Sequence, residues 1–372
     1  MKILQITFYL SPGGAERFAV DLSNELVKNN EVVLLTLMDD TRNPETQRFY
    51  LFDLDKRVEY KNLGLRQGAG FSLKVLWRVY RAMKRENADV IHLHVHGVVN
   101  FCILGILLLC WQTTIVQTIH TDFKVGHSSK LYKFLFGTIG RLHKMRWAAL
   151  SETNYLDMTN AYPYLLCRRI DNGRAPMLPT GLFESVKKEI EGYKTTERSK
   201  VYLHVARCVP LKNQLMLVKS FNRFRSAGNN AILLIIGADF DSELGESIKE
   251  AAGEGIYILG TRKNIADYML NVDCFCLSSS YEGLPITILE ALLSGVPIVS
   301  TPVKGALDVV KDGVTGVISK EFSEDAYVDA LKQAASSLLV LRENAEKEKG
   351  NSPYTMEACA KKYVEFYNLE AK

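Results

Sequence analysis

Two glutamates eight positions apart, Glu282 and Glu290, sit in an otherwise apolar stretch, SSSYEGLPITILEALLSGVPIV, residues 278–299. An ionised carboxylate accepts hydrogen bonds from two vicinal hydroxyls, so such a pair suits a hydroxyl-rich ligand, one acid on a sugar and the other on a ribose. A capping acid followed by a solvated helix acid is the plain alternative. Upstream, ARCVPLKNQ (206–214) holds Arg207 and Lys212. Two cations beside a helix N-terminus can hold a diphosphate, although two solvated surface cations would look the same. Near the start, SPGGAERFA (11–19) places Gly13 and Gly14 ahead of a helix. Glycines let backbone approach a ligand, and the free N–H groups of the helix suit an anion. The stretch is not GxGxxG, and no acid about 20 residues on ends a second strand, which weakens a dinucleotide reading.

Histidines form the remaining polar set. His120 ends the run TTIVQTIH (113–120) and is followed by Thr121 and Asp122. HLHVH puts His92, His94 and His96 on one face of a strand. Alternate strand residues splay by about 7 Å per step, a spacing that fits strand-end packing better than a metal site, and no metal is expected. Cys274 and Cys276 share a strand face but lack the four ligands of structural zinc.

The elements that must position these residues alternate. Apolar strands are expected at 2–8, 31–37, 88–96 and 113–120, with helices at about 15–28, 73–86 and 98–110 between them. The pattern restarts with strands at 201–206, 231–237, 256–260, 274–279 and 296–301. Pro285 fits the first turn of the helix that carries Glu290, and Gly295 its end. Continuous apolar strands alternating with helices imply α/β architecture, two doubly wound parallel sheets in tandem. The expected division is 1–183 and 184–354, with 182–200 as linker; the return of a C-terminal helix, 355–372, to the first domain is implied by a family resemblance alone. Ligands in such sheets bind outside the carboxyl ends of the strands, where these motifs fall.

Composition narrows the class. A chain of 372 residues with 47% hydrophobic and 24% charged residues reads as a folded globular protein of two domains. A net charge of +4 is too mild to imply nucleic acid. Seven cysteines without a CxxC pair suggest buried, reduced thiols and a cytoplasmic chain. MKILQITFYL reads as a first strand rather than a signal peptide. The most apolar run, 98–111, is shorter than the roughly 20 residues a membrane-spanning helix needs. Two basic helices, 74–85 and 127–147, the second including Lys130, Lys133, Arg141, Lys144 and Arg146, suit an anionic membrane surface.

Taken together, GGAER, RCVPLKNQ and EGLPITILEALLSGVPIVST resemble glycosyltransferase family 4, and the resemblance runs nearly end to end. It implies the GT-B fold, two Rossmann-like domains facing across a cleft, and retaining transfer from a nucleotide-sugar. Carried over, Gly14, with Gly13 beside it, is the glycine that approaches the donor phosphates. Arg207 and Lys212 neutralise the diphosphate, Glu282 contacts the donor sugar and Glu290 the ribose. The amides of Gly283, Leu284 and Ile286 support phosphate or sugar. His120 matches a cleft histidine near the donor sugar, and Arg262 is counted with the donor-binding residues. No cofactor and no metal are implied. Thr180-Gly181 stands where the family usually has Asn-Gly, and the late loop reads Lys304-Gly305-Ala306-Leu307-Asp308; both departures bear on the identity of the donor sugar.

The expected function is transfer of a hexosyl or N-acetylhexosaminyl group from a UDP- or GDP-sugar to a glycan acceptor, polyprenyl-linked, in bacterial capsule, O-antigen or exopolysaccharide assembly. It would take place in the cytoplasm, peripheral to the inner membrane face. Acceptor contacts are expected in the first domain's loops, at about 39–71 and 121–135. A nucleotide-sugar epimerase of the same fold would turn over donor without an acceptor. The intact set of Arg207, Lys212, Glu282 and Glu290 argues against a non-catalytic nucleotide-sugar-binding protein.

Overall fold

A computed structural model of the chain describes residues 1–66, 72–95, 97–109, 112–120, 137–138, 145–150, 152–163, 166–350 and 352–369. Contacts divide it into two units, Met1–Ala175 with Pro353–Lys372, and Pro176–Ser352. The division falls eight residues before the expected 183/184, because 182–200 is not a bare linker. It contains a helix, Phe183–Tyr193, whose Val186 and Ile190 are buried one turn apart. The charges around that two-residue stripe hide it in the sequence.

In the first unit, β1 (Lys2–Thr7), α1 (Gly14–Leu26), β2 (Glu31–Met38), α2 (Pro44–Gln47), β3 (Glu59–Leu65), α3 (Leu73–Glu86), β4 (Val90–Leu93), α4 (Val98–Leu109), β5 (Thr114–Ile119), β6 (Arg146–Ala149), α5 (Glu152–Ala161) and β7 (Leu166–Arg169) follow in order. The strands are parallel, in the order β3-β2-β1-β4-β5-β6-β7. Two expectations need correction. β4 is shorter than 88–96 because Val95 turns into the left-handed region at φ 65°. The segment 39–71 is not all loop, since β3 adds an edge strand to it.

The second unit holds α6 (Phe183–Tyr193), β8 (Lys200–Val205), α7 (Gln214–Ser226), β9 (Ala231–Ile236), α8 (Glu243–Ala251), β10 (Ile256–Gly260), α9 (Ile265–Leu270), β11 (Cys274–Leu277), α10 (Ile286–Leu293), β12 (Ile298–Ser300), α11 (Lys304–Val309), β13 (Gly316–Ile318), α12 (Glu324–Ser336) and α13 (Leu338–Lys349). Its parallel order is β10-β9-β8-β11-β12-β13. Central strands are buried along nearly their whole length, as in β9, AILLII, which is what helices on both faces require.

The last helix, α14 (Met356–Tyr367), belongs to the first unit and packs on α1. The Tyr363 hydroxyl bonds Thr118 Oγ1 at 2.8 Å and the Tyr367 hydroxyl bonds His92 Nδ1 at 2.8 Å. Arg146 is only 6% exposed, and its guanidinium donates to the carbonyls of Phe366 and Tyr367 at 2.7 and 2.6 Å, and to Leu369 O. This corrects its place in the expected basic membrane face: it closes the C-terminal end of α14, where carbonyls lack partners within the helix. Residues 127–136 and 139–144 of that face, and His96, lie outside the described residues. Of the cysteines described, Cys102, Cys208, Cys274, Cys276 and Cys359 are buried and Cys167 is half-buried, all as free thiols. Among the described residues no helix is long and apolar enough to cross a membrane.

Candidate functional site

In the second sheet the strand order reverses between β8 and β11. Such a switch point opens a crevice at the carboxyl ends of the strands. Arg207 follows β8, and Glu282 follows β11. Beyond Arg207 a 3₁₀ turn, Pro210–Lys212, leads through Asn213, left-handed at φ 51°, into α7. Gln214, buried at the start of that helix, turns its Nε2 back to Arg207 O at 2.8 Å. Two serines join this loop to the one after β11. Ser278 Oγ donates to Lys212 O at 2.7 Å, and the Ser280 N–H to Leu211 O at 2.9 Å. Ser279 Oγ donates to Glu282 Oε1 at 2.8 Å, while Thr301, past β12, donates its Oγ1 to Ser279 O at 2.6 Å.

The result brings Lys212 and Glu282 into contact, with Arg207 on the same loop after β8. Lys212 Nζ donates to Glu282 Oε1, forming an ion pair with side chains 23% and 12% exposed. An ammonium has three N–H donors, so Lys212 keeps protons for a second anion. Glu282 Oε2 has no hydrogen-bond partner among the described residues. Arg207 is exposed, and its guanidinium has no partner among them. The cluster therefore offers a free guanidinium, a shared ammonium and one unused carboxylate oxygen.

Glycines shape the space beside it. Nothing among the described residues lies within 4 Å of where a Cβ on Gly283 would stand. Gly305, in contrast, sits so close that a Cβ there would meet Gly283 O at 2.4 Å and Pro285 Cδ at 2.6 Å. This is a structural reason for Gly305 in the late loop: α11 braces the backbone of the Glu282 loop. Pro285 is the N-cap of α10 (φ −70°, ψ 130°) and not a first-turn residue as expected, since the helix begins one residue later at Ile286. The N–H groups at the very start of the helix, from Ile286, lack intrahelical acceptors, and Leu284 lies in the loop just before it. Glu290 falls in the second turn and is 6% exposed, which rules out the solvated-acid reading.

Arg262 does not join this cluster. Its Nε donates to the Tyr268 hydroxyl at 3.1 Å, its Nη1 to Thr261 O at 3.3 Å, and its Nη2 lies 3.8 Å from Glu189 Oε1. Thr180 is also tied down. Its N–H and hydroxyl donate to the two oxygens of buried Asp267 at 2.7 and 2.6 Å.

In the first unit the glycine turn opens α1. Gly13 is the N-cap of α1 and Gly14 its first residue. A Cβ on Gly13 would stand 2.2 Å from Glu16 Oε2. The Glu16 carboxylate therefore lies beside the turn. His120 follows β5 and its Nε2 lies 3.3 Å from His94 Nδ1. Burial pushes its pKa down to about 3, and holds His92 and His94 well below their ordinary value. His92 is a packing residue, bonded to Tyr367 and to Thr118 Oγ1 at 2.7 Å. Among the described residues no group of three His, Cys, Asp or Glu side chains could hold a metal ion.

Residues 12–161 match the family model Glycosyltransferase Family 4, and residues 185–349 match Glycosyl transferases group 1. Among curated proteins, N-acetyl-alpha-D-glucosaminyl L-malate synthase of Bacillus anthracis is 24% identical over 331 residues, 86% of this chain and 84% of that protein. A UDP-Gal:alpha-D-GlcNAc-diphosphoundecaprenol alpha-1,3-galactosyltransferase of Escherichia coli is 24% identical over 70% of this chain and 69% of that protein. A shorter stretch, 31% identical over 144 residues, spans only 35% of the relative it matches. The solved structure of Anabaena HepE in complex with UDP and glucose superposes with a TM-score of 0.78 at 18% identity, covering 98% of this chain and 99% of that one. At that identity the likeness is one of fold, GT-B.

Proposed function

The chain belongs to the glycosyl transferases group 1 family, and on that premise we propose that it moves a sugar, with retention at the anomeric carbon, from a UDP- or GDP-sugar to a polyprenyl-linked glycan in cell-surface polysaccharide assembly. The observation that carries this reading is the Arg207–Lys212–Glu282 cluster at the switch point of the second sheet. The barrier lies in expelling a nucleoside diphosphate. Arg207 and the spare Lys212 protons stabilise that leaving charge, together with the N–H groups at the start of α10. No metal is needed in this scheme, because the two cations do its electrostatic work. Glu282 Oε2 accepts from a donor-sugar hydroxyl, Glu290 serves the ribose, and His120 serves a sugar hydroxyl.

The lipid-linked acceptor is supported by the E. coli relative, whose name carries diphosphoundecaprenol. Association with an anionic membrane surface is supported by α3. There Lys74, Arg78, Arg81, Lys84 and Arg85 are exposed beside Leu73 (84% exposed) and Trp77 (52%). The test is thermal shift against UDP, GDP, ADP and their sugars with and without Mg²⁺, followed by a transfer assay. A metal-independent shift with UDP or GDP is expected, and Arg207→Ala should lower kcat by roughly 10²–10³-fold. An Arg207→Ala protein that folds and retains wild-type turnover would remove the cluster from the site.

A further inference from the structure

Two fully buried polar side chains in the first unit lead to His120, which is half-buried. Gln5, in β1, and His94, just past β4, are both fully buried. Gln5 Oε1 bonds His94 Nε2, and His94 Nδ1 bonds His120 Nε2 at 3.3 Å. Phe18 of α1 lies edge-on to both rings, with centroids 5.9 Å from His94 and 5.3 Å from His120. The Phe18 contact limits rotation of either imidazole. Val95, next in the chain to His94, holds a left-handed φ of 65°, unusual for a β-branched residue. Gln5 Nε2 is buried without a partner.

Each neutral imidazole has one donor and one acceptor nitrogen, so the chain can carry hydrogens in only one direction at a time. With the Gln5 oxygen toward His94, His94 carries its proton on Nε2 and accepts at Nδ1. His120 must then carry its proton on Nε2, and its Nδ1 is left as a bare acceptor. That nitrogen has no partner among the described residues. We propose that Gln5 and His94 are positioning residues that fix His120 as the Nε2–H tautomer, so that Nδ1 accepts from a hydroxyl of the bound sugar. This rests on the reading of His120 as a sugar contact, but the tautomer itself does not.

The test separates the two. Nitrogen-15 histidine labelling, read by imidazole nitrogen–proton correlation at pH 7, reports the tautomer without substrate. Burial keeps His120 neutral at that pH. The expected wild-type result is a pyridine-like Nδ1 on His120; a protonated Nδ1 overturns the proposal. Gln5→Met removes the directing acceptor and should give a mixed tautomer. His94→Phe deletes the relay and gives a second variant if the first does not fold. A single unchanged tautomer in a folded variant also overturns the proposal. Where the tautomer shifts as expected, kcat should fall roughly tenfold, the scale typical of an outer-shell partner, with little change in donor KM. If the tautomer shifts but nucleotide-sugar neither binds nor turns over in the wild type, the transferase reading fails and the positioning pair stands.

Discussion

Two glycines in the second unit make opposite predictions when each gains one methyl. At Gly305 the added Cβ would sit 2.4 Å from Gly283 O and 2.6 Å from Pro285 Cδ, well inside contact distance, and two of these obstacles are backbone or proline ring. Gly305 N–H also reaches Glu282 O at 3.4 Å. Relief must therefore come from moving the loop that carries Glu282. Overpacking of this kind costs about 1–3 kcal/mol, which in a domain of this size lowers Tm by roughly 2–4 °C per kcal/mol. At Gly283 the methyl meets nothing among the described residues, and the backbone is outside the left-handed region. Gly283→Ala should therefore leave stability unchanged or raise it by about 0.4–1 kcal/mol, through a less flexible unfolded chain. If the open space is where a donor approaches, the same methyl clashes with ligand instead. A penalty of about 1–3 kcal/mol there weakens Kd roughly 5- to 150-fold. Scanning calorimetry without ligand and titration calorimetry with UDP, GDP and their sugars give the two numbers separately. A Gly283→Ala protein that binds its nucleotide-sugar as tightly as wild type would refute the placement of a ligand over that loop.

Other perturbations test the supports. Asp267→Ala removes the acceptor of both Thr180 bonds, made at 2.7 and 2.6 Å to a fully buried carboxylate; a loss of about 3 kcal/mol is expected in urea denaturation. Arg146→Met should cost a similar amount, about 3 kcal/mol, and make α14 the first site of limited proteolysis; an unchanged Tm would contradict its role at the helix end. Acid should destabilise the first unit through His92, His94 and His120. Their folded pKa values lie below the unfolded value of about 6.5, that of His120 at about 3. The stabilisation is thus complete above pH 6.5 and lost as pH falls through the window below it. Each histidine contributes at most about 1.4 kcal/mol per pH unit, so roughly 2 kcal/mol at pH 5. A pH-independent unfolding free energy between 7 and 5 would contradict neutral burial.

The chemistry-bearing side chains were legible because each follows an apolar run, where a charged residue can only be a strand end. Arg207, Lys212 and Glu282 came from that rule. Their supports were not legible, because the bonds that hold them span long stretches of chain. Ser278 reaches Lys212 across 66 positions, and Thr301 reaches Ser279 across 22. A run of three serines after a strand signals a polar loop but not what each hydroxyl holds. Arg146 illustrates the opposite failure. In sequence it is one cation among several in a basic segment; its burial follows from a helix more than two hundred residues later. Glu16, three residues past Gly13, could have been seen as an acid able to lie beside the glycine turn, but its rotamer is a tertiary choice. Likewise α6 was read as linker because two buried residues among many charges carry too little periodicity to stand out.

The two sheets share one strand pattern, β3-β2-β1-β4 in the first and β10-β9-β8-β11 in the second, so each has its reversal at an equivalent place. What fills those places differs in charge. The second unit puts a guanidinium, an ammonium and one carboxylate there, with protons to spare. The first unit puts Gln5 and His94 there, both fully buried, with His120 next to them and an acid, Glu16, on the neighbouring glycine turn. Histidines held neutral by burial cannot offset a diphosphate, and a nearby carboxylate repels one. The neutral acceptor at His120 is suited to hydroxyl groups, whose hydrogen bonds need direction rather than charge, and direction is what a fixed tautomer supplies.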